Sequence, residues 1–216
     1  MKKIASPLFQ DLSEAELDTL AAAGHLRTRQ FAKHEVIFHA GSCVREIGIV
    51  LRGSVHIENL DLWGTKSILS SAGAGQAFAE TYAFCGEALM VDAVAAEHCE
   101  ILFLHTAAFT DARIEPALQD KLLRRLLAVS MRKNLSLSQR IFCTTPKTVR
   151  GRLLTYFSAQ AARCGRMEFE VPFNRQQMAD YLNLDRSALS KELCKMRDEG
   201  LLEFDKNRFV LKQLPE

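Results

Sequence analysis

Several features that would place this 216-residue chain in a special class are absent. No stretch approaches the run of about 18 apolar residues that can cross a membrane. The N-terminus reaches Pro7 and Asp11 before an apolar signal-peptide core can form, so we expect neither secretion nor membrane insertion, but a cytoplasmic location. With 48% hydrophobic and 25% charged residues, the composition is that of a chain that buries a core, not of a disordered one.

The six cysteines have no metal-type or redox-type spacing, because no two of them form a C-x-x-C pair. A chain of this size also needs no disulfides to fold. We therefore expect free thiols in a reducing cytosol. The alternative is a redox or metal role for one or two of the thiols of Cys43, Cys85, Cys99, Cys143, Cys164 and Cys194.

The small net charge of +2 hides an uneven distribution along the chain. Residues 1–137 contain 14 Lys or Arg against 16 Asp or Glu, whereas residues 138–216 contain 14 against 10. The basic excess of the C-terminal part indicates where a polyanionic partner would bind. A solvated basic face with no partner has the same composition, so this observation alone is weak.

The N-terminal half has the pattern of a β-rich domain behind one short helix. The helix is predicted over 12–24, with Ser13 and Glu16 spaced as a capping box. Short β-branched runs follow at roughly 8–12-residue spacing, and turns that contain glycine, one of them at 61–64, separate them. This pattern predicts a barrel or sandwich with strands near 36–38, 47–51, 54–57, 67–69, 91–96 and 100–104.

Residues 76–86 interrupt the strand alternation and are rich in small side chains. A short helix inserted here would expose backbone N–H groups at its start, which favours an anion. The segment is therefore a candidate ligand pocket. A plain connection between two strands is the alternative.

A long amphipathic helix is predicted from about Ala112 to Cys143. Its apolar stripe is wider than one packing neighbour requires, because leucines occur in pairs at 122–123 and 126–127. One edge of the stripe can pack on the β-rich domain and the other on a second chain. We expect a dimerisation helix, and packing within a single chain is the alternative.

The last third of the chain predicts a helix-turn-helix after one more helix and a short strand. Pro146 is suited to the first turn of a helix over about 147–162, and a strand is predicted over 168–171. The first helix of the helix-turn-helix then begins after Asn174, which with Gln177 has the spacing of a capping box.

The second helix of this motif follows a tight turn. Ala179 is small enough to let the two helices approach closely, and Asn183 lies where the turn requires a left-handed residue. Asp185 is placed to cap the second helix. The apolar face of the second helix consists of Leu189, Leu193 and Met196.

The opposite face of the second helix is polar and basic. Arg and Lys can bind guanine O6 and N7, and Ser can bind either base type, so this face suits the DNA major groove. A hairpin with a turn at 205–207 follows Gly200 and completes a winged helix-turn-helix. A plain αα-hairpin has the same apolar pattern but explains neither the wing nor the basic face of Arg186, Ser187, Ser190, Lys191, Cys194 and Lys195.

The order of these parts resembles that of the Crp/Fnr family of bacterial transcription regulators, over essentially the whole chain. The specific motifs are Asn-Arg-Gln-Gln-Met-Ala at 174–179 and Asp-Arg-Ser-Ala-Leu-Ser-Lys at 185–191. Weaker support comes from Gly-Ser-Val at 53–55, Gly-Gln-Ala-Phe-Ala-Glu at 75–80 and Gly-Arg-Leu-Leu at 151–154.

The resemblance implies an α+β fold with three parts. These are an N-terminal double-stranded β-helix (a β-roll similar to cyclic-nucleotide-binding domains) over 1–111, a long dimerisation helix over 112–143, and a C-terminal winged helix-turn-helix DNA-binding domain over 144–216. Position by position, the resemblance implies base contacts from Arg186, Ser187, Ser190 and Lys191. It implies DNA-backbone contacts from Asn174, Arg175, Gln176 and Asp185.

Two positions of the base-contacting set depart from common family members. Relatives with Glu at the position of Ser187 use it to accept from cytosine, so we expect a different half-site here. Lys191 replaces the usual Arg, which weakens bidentate recognition of guanine.

Two further departures concern the ligand. Cyclic-nucleotide binders of the family have Gly-Glu at the start of the inserted helix and Arg-Ser on the next strand. In this chain the first pair is Ala79-Glu80, and the second aligns on Met90-Val91. Without that arginine, a cyclic phosphate loses its charge-assisted partner, and Met90 would bury it against an apolar wall. We expect a smaller or more apolar effector, or none, in a pocket formed by Ala79, Glu80, Thr81, Tyr82, Met90 and Val91.

No cofactor or metal is expected. No cysteine precedes Cys43, so the N-terminal cluster of the family's iron–sulfur branch is missing and we expect no Fe–S cluster. Six histidines offer haem ligands, but a lone histidine is more often structural, so we do not expect haem. Whether Cys85 or Cys99, both near the proposed pocket, senses oxidants stays open.

The expected protein is a non-enzymatic homodimer that binds a pseudo-palindromic site on double-stranded DNA, with RNA polymerase as a further partner and no membrane contact. An effector or redox signal in the β-roll would control it. One alternative is a cyclic-nucleotide-responsive regulator. Another, from a different class, is a cupin-type metal-dependent barrel enzyme, which usually needs a close His-x-His pair that this chain lacks.

Overall fold

The computed structural model describes residues 4–60 and 66–212, so the turn predicted at 61–64 lies outside the described residues. The chain divides into two compact units between Arg132 and Lys133. The first unit contains a 3₁₀ turn Pro7–Phe9, α1 Glu14–Ala22, β1 Leu26–Phe31, β2 Val36–Phe38, β3 Glu46–Arg52, β4 Ser54–Leu60, β5 Lys66–Gly73, β6 Ala77–Phe78, α2 Glu80–Cys85, β7 Asp92–Ala95, β8 Cys99–His105 and a 3₁₀ turn Thr106–Phe109.

The long helix α3, Pro116–Thr144, begins in the first unit and ends in the second. The second unit continues with α4 Val149–Cys164, β9 Glu168–Glu170, α5 Arg175–Leu182, α6 Arg186–Asp198, β10 Leu202–Asp205 and β11 Arg208–Leu211. No described helix is long and apolar enough to cross a membrane.

The short helix α1 begins with the predicted capping box. The Ser13 hydroxyl accepts from the Glu16 N–H at 3.2 Å, and the Glu16 carboxylate accepts from the Ser13 N–H at 2.7 Å. The two backbone N–H groups have no partner within the helix, and these side-chain bonds to them define where the helix begins. Leu17 and Leu20 are buried beneath it.

The strands of the first unit form two four-stranded antiparallel sheets, in the orders β1-β8-β3-β6 and β2-β7-β4-β5. Together they are the β-roll that the sequence predicted. Each sheet pairs strands that are distant in the chain, such as β1 with β8 and β4 with β7. The sequence prediction omitted β1 and the two-residue β6.

An aromatic cluster fills the inside of the β-roll. Phe38 lies 5.9 Å from Phe78 and 5.6 Å from Phe103, measured between ring centroids. Gly48 of β3 faces the Phe78 ring so closely that a Cβ at this position would lie 2.3 Å from the ring. Only glycine therefore fits at this point of β3 without displacing the aromatic core.

The helix α3 begins at Pro116 and not near Ala112 as predicted. The Asp111 carboxylate accepts from the Arg113 N–H at 2.9 Å, and the Asp111 carbonyl accepts from the Ile114 N–H at 2.9 Å. These turn bonds compete with helix, and the helix starts only after them, with proline at its first position.

One edge of the leucine stripe of α3 packs into the first unit. Leu118, Leu122 and Leu126 are buried there in one cluster with Leu17 and Ile47. The second member of each leucine pair, at 123 and 127, is exposed. The stripe is therefore two-sided, as its width predicted, and the described residues cover only one of its sides.

The second unit has its own core beneath a three-stranded antiparallel sheet, in the order β10-β11-β9. The predicted strand 168–171 is thus part of the wing, which the sequence did not indicate. The helix α4 begins at Val149 after Thr148, whose hydroxyl accepts from the Gly151 N–H at 3.0 Å. Pro146 precedes this cap and is not in the first helical turn, because the cap at Thr148 starts the helix later than predicted.

Candidate nucleic-acid interface and effector site

The first helix of the helix-turn-helix, α5, starts with the predicted capping box. The Asn174 side chain accepts from the Gln177 N–H at 2.9 Å, and the Gln177 side chain accepts from the Asn174 N–H at 2.9 Å. Asn174 and Gln176 are exposed, and Gln176 donates to the Asp180 carboxylate at 2.8 Å. The start of α5 is therefore fixed by bonds within one turn of the chain.

The turn between α5 and α6 also matches its prediction. Asn183 has φ 57° and ψ 49°, the left-handed conformation that asparagine tolerates better than most residues. Ala179 is fully buried, which lets α6 lie close to α5. The Leu184 N–H then donates to the Ala179 carbonyl at 2.9 Å, which closes the turn.

The helix α6 begins at a side-chain cap provided by Asp185. Its carboxylate accepts from the Ala188 N–H at 2.9 Å and from the Ser187 hydroxyl. The bond from the Ser187 hydroxyl, followed by that from the Ala188 N–H, lowers the pKa of Asp185. Because the Ser187 hydroxyl donates its proton to Asp185, its oxygen remains available as an acceptor for a base amino group.

The two faces of α6 differ as a recognition helix requires. Leu189, Leu193 and Met196 are fully buried in the core of the second unit. Of the four residues for which base contacts are implied, Ser190 is half-buried, and Arg186, Ser187 and Lys191 are exposed. The structure therefore places these four side chains on the first two turns of one helix, with the apolar face turned inward.

The guanidinium of Arg175, for which a DNA-backbone contact is expected, lies against two aromatic rings. Its guanidinium lies 4.9 Å from the ring centroid of Phe204 and 5.1 Å from that of Phe209, both in the wing. One terminal nitrogen is buried with no hydrogen-bond partner among the described residues, and burial lowers the pKa of Arg175. In this conformation Arg175 stabilises the wing by cation–π contact, and its contact with the DNA backbone stays a prediction.

Another arginine, Arg150, holds α6 in place, and the sequence pattern did not indicate this role. Arg150 of α4 donates to Glu192 at 2.6 Å and to both carboxylate oxygens of Glu199, at 2.7 and 2.9 Å. Glu192 is on α6 and Glu199 is its C-cap residue, 42 and 49 residues along the chain. These hydrogen bonds to glutamates raise the pKa of Arg150. Such long-range pairs leave no periodic signal in a sequence.

The proposed effector pocket is only partly assembled. Ala79 and Tyr82 pack against the aromatic cluster of the β-roll, and Glu80 is 5% exposed. Thr81 is exposed, and Val91 is half-buried. Met90 is 77% exposed, so it projects into solvent and is not the apolar wall that the sequence analysis expected.

The segment that includes the pocket has no lysine or arginine side chain. No Lys or Arg occurs between Lys66 and Arg113, a stretch that spans β6, α2, β7 and β8. Basic groups of the neighbouring strand β1 are already paired, since Arg27 donates to Glu46 at 2.6 Å and Arg29 donates to Glu35 at 3.0 Å. The segment therefore provides no charge-assisted partner for a phosphate.

The two cysteines near the pocket have different surroundings. Cys99 is fully buried, and its thiol donates to the Ser54 carbonyl at 3.0 Å. Cys85, at the end of α2, is exposed. Only Cys85 is therefore placed to meet an oxidant from solution. All six cysteines are free thiols in this structure, and the described residues contain no group of three or more potential ligands for a metal ion.

Comparisons with known proteins match both halves of this architecture. Residues 28–113 match the model of the cyclic nucleotide-binding domain, and residues 151–216 match the Crp-like helix-turn-helix domain. A comparison with functionally curated proteins finds no significant match.

Solved structures give the same result for the fold. The catabolite activator protein of Thermus thermophilus is 25% identical, with 96% of this chain and 94% of that chain covered and a TM-score of 0.50. FixK2 of Bradyrhizobium japonicum is 19% identical, with 87% and 93% covered and a TM-score of 0.52. The c-di-GMP-responsive regulator CLP of Xanthomonas campestris is 18% identical, with 93% and 100% covered and a TM-score of 0.55.

The β-roll followed by a long helix and a winged helix-turn-helix, the two domain matches, and these neighbours lead to one assignment. The chain belongs to the Crp/Fnr family of DNA-binding transcription regulators.

Proposed function

We propose that this regulator is a homodimer that binds a pseudo-palindromic DNA site and responds to a signal other than a cyclic mononucleotide. The observation that carries the proposal is the polar face of α6, where Arg186, Ser187 and Lys191 are exposed opposite a fully buried apolar face. Such a helix can enter the major groove with its N-terminal turns against base edges.

The dimer is supported by the uncovered side of α3. Seven large apolar side chains on this helix are between 47% and 65% exposed. Exposed apolar helix faces of this kind, one in each unit, indicate an interface, since monomeric proteins rarely leave such faces uncovered. In the first unit these side chains are Leu123, Leu127 and Met131, and in the second unit Leu135, Leu137, Ile141 and Phe142.

A two-fold dimer determines the form of the DNA site. Two copies of α6 related by symmetry would contact two inverted half-sites about 34 Å apart, one turn of the double helix. A signal that favours one arrangement of the two copies shifts occupancy of the site by its differential affinity for that arrangement. RNA polymerase is the further partner that we propose, and the cytoplasm is the location.

The nature of the signal follows from the charge of the β-roll. A cyclic mononucleotide carries a phosphate, and the segment from 67 to 112 contains no Lys or Arg to pair with it. The neighbour CLP, a c-di-GMP-responsive regulator, illustrates a protein of this fold that responds to a signal other than a cyclic mononucleotide. We propose a neutral or apolar effector near Tyr82, or oxidation of the exposed Cys85.

Native mass spectrometry of protein purified without oxygen or added ligand tests the assembly and the signal together. The proposal predicts a dimer, and a retained effector would appear as added mass. A monomer would contradict the dimer. Calorimetric titration with cyclic AMP and cyclic GMP should give no binding heat, and saturable binding would favour the cyclic-nucleotide-responsive alternative.

A further inference from the structure

Four successive backbone carbonyls lie at the end of α5, and the first of them, that of Asp180, already accepts a long bond from the Asn183 N–H at 3.4 Å. A helix of this length ends with orphan acceptors in its last turn, and the left-handed Asn183 stops the chain from continuing the ladder. The four carbonyls at the end of α5 are those of Asp180, Tyr181, Leu182 and Asn183. Donors from elsewhere in the chain can therefore add to the local bonds of the turn that orients α6.

Two arginines from other helices bind all four carbonyls. Arg140 of α3 donates to the Asp180 carbonyl at 3.0 Å and to the Tyr181 carbonyl at 3.1 Å. Arg152 of α4 donates to the Leu182 carbonyl at 3.0 Å and to the Asn183 carbonyl at 2.7 Å. Each guanidinium thus binds two successive acceptors.

The chemistry of arginine suits this position. A planar guanidinium has five N–H donors in a fixed geometry, so it can bind two acceptors at once where an ammonium is a single point charge. Its charge also lies at the negative end of the α5 dipole. Arg152 makes a third bond, to the Pro146 carbonyl at 2.9 Å, so it also holds the connection between α3 and α4.

We propose that Arg140 and Arg152 are positioning residues of DNA recognition, which hold the α5–α6 turn and, through Arg140, attach it to the last turns of α3. This inference rests on the proposed function of α6 as the recognition helix. Neither arginine is on the polar face of α6. Both therefore act on base recognition only through the orientation of that helix.

The role of a positioning residue differs measurably from that of a phosphate contact. Loss of a phosphate contact weakens binding to every DNA sequence and lowers the salt dependence of binding by about one unit of slope. Loss of a turn-holding residue weakens binding to the preferred sequence alone, because non-specific binding does not need a defined orientation of α6. The salt slope then stays unchanged.

The test uses full-length protein with Arg140→Gln and Arg152→Gln, each of which removes the charge and the paired donors. Arg163→Gln is the matched control, since Arg163 is an exposed residue of α4 that donates to Gln160. The probes are a duplex enriched by the wild-type protein from a random pool, and an unrelated duplex of equal length. Hydrogen exchange at the amides of residues 183–188 is measured without DNA.

Each positioning variant should lose about tenfold in affinity for the enriched duplex, with unchanged affinity for the unrelated duplex and an unchanged salt slope. Amides of the turn should exchange faster in both variants than in Arg163→Gln. Arg140→Lys, which keeps the charge, should recover only part of the affinity. This variant also provides the comparison if a Gln variant does not fold.

Equal weakening on both duplexes, with a lower salt slope, would show that the arginines contact phosphate and would overturn the proposal. Unchanged binding and unchanged amide exchange would also overturn it. Failure of the wild-type protein to enrich any sequence would instead contradict the proposed function. In that case the amide exchange still tests whether the two arginines hold the turn.

Discussion

The inserted segment of the β-roll and the helix-turn-helix each begin a short helix, but by different means. α2 follows Ala79, which has φ 61° and provides no side-chain cap. α5 and α6 follow Asn174 and Asp185, whose side chains accept from the first turn. α2 is instead held by its surroundings, because Glu80 and Ala83 are buried in the β-roll. The helix-turn-helix is specified by local sequence, and the inserted segment by packing around it.

The difference has a physical cost. An L-residue with a Cβ in the left-handed region costs roughly 1–2 kcal/mol, and asparagine occupies that region more readily than alanine. Asn183 therefore suits its conformation, whereas Ala79 is strained in the same region and depends on packing. A segment under such strain can change conformation when a ligand changes its packing, which is consistent with a sensing role for α2.

The largest effect that would test this comparison comes from the aromatic core of the β-roll. Phe78→Ala removes a buried ring that packs against Phe38 and fills the space beside Gly48. We expect a loss of about 3–5 kcal/mol in the free energy of unfolding, measured by chemical denaturation. Phe84→Ala is the control, because Phe84 is 51% exposed and should cost much less. Equal losses would contradict the assignment of the core.

The polar face of α6 is tested next. Arg186→Ala with Lys191→Ala should abolish sequence preference while leaving non-specific binding, with about 1–3 kcal/mol of discrimination lost at each contacted base pair. Competition between an enriched and an unrelated duplex measures this. Arg163→Ala, an exposed arginine of α4 that is not on this face, is the matched control. An unchanged footprint for the double variant would contradict the base-contacting role.

Ala79 and Asn183, the two left-handed residues compared above, give a pair of predictions of opposite sign. Asn183→Ala should lower the free energy of unfolding by about 1 kcal/mol, because alanine tolerates the left-handed region less well. Ala79→Gly should raise it by a similar amount, since glycine relieves the strain at φ 61°. Denaturation of each variant measures the sign. A stabilising Asn183→Ala would contradict local specification of the turn.

The smallest expected effect is the pH dependence of the α6 cap. The pKa of Asp185 is lowered in the folded protein by its bonds from Ser187 and Ala188. The ionised cap therefore stabilises the fold above the ordinary aspartate pKa near 4, and this contribution is lost as pH falls through the lowered value. Asp185→Asn keeps a capping acceptor, so its stability should lack this part of the acid dependence, whereas Asp185→Ala should be less stable at neutral pH. Identical acid profiles would contradict the role of the charge.

The parts of the molecule that sequence predicted are those that depend on near neighbours. Capping boxes at Ser13 and Asn174, the left-handed Asn183 and the hairpin of the wing all arise within a few residues. The start of α3 was placed too early, because the turn bonds of Asp111 carry no periodic signal. The sequence did not predict the structural roles of three arginines, because the groups that they bind lie some 30 to 50 residues away. The three arginines are Arg140, Arg150 and Arg152. The expectation that the Met90 side chain forms an apolar wall was wrong, because alignment to a family motif does not determine the exposure of a side chain.

In vitro selection of DNA from a random duplex pool tests the proposed dimeric recognition of DNA. We expect enrichment of an inverted repeat with half-site centres about 10–10.5 base pairs apart, bound by a protein dimer. We also expect the enriched sequence to be lost with Arg186→Ala and Lys191→Ala. Enrichment of no sequence, or of a motif without two-fold symmetry that a single chain binds, would contradict the proposed recognition.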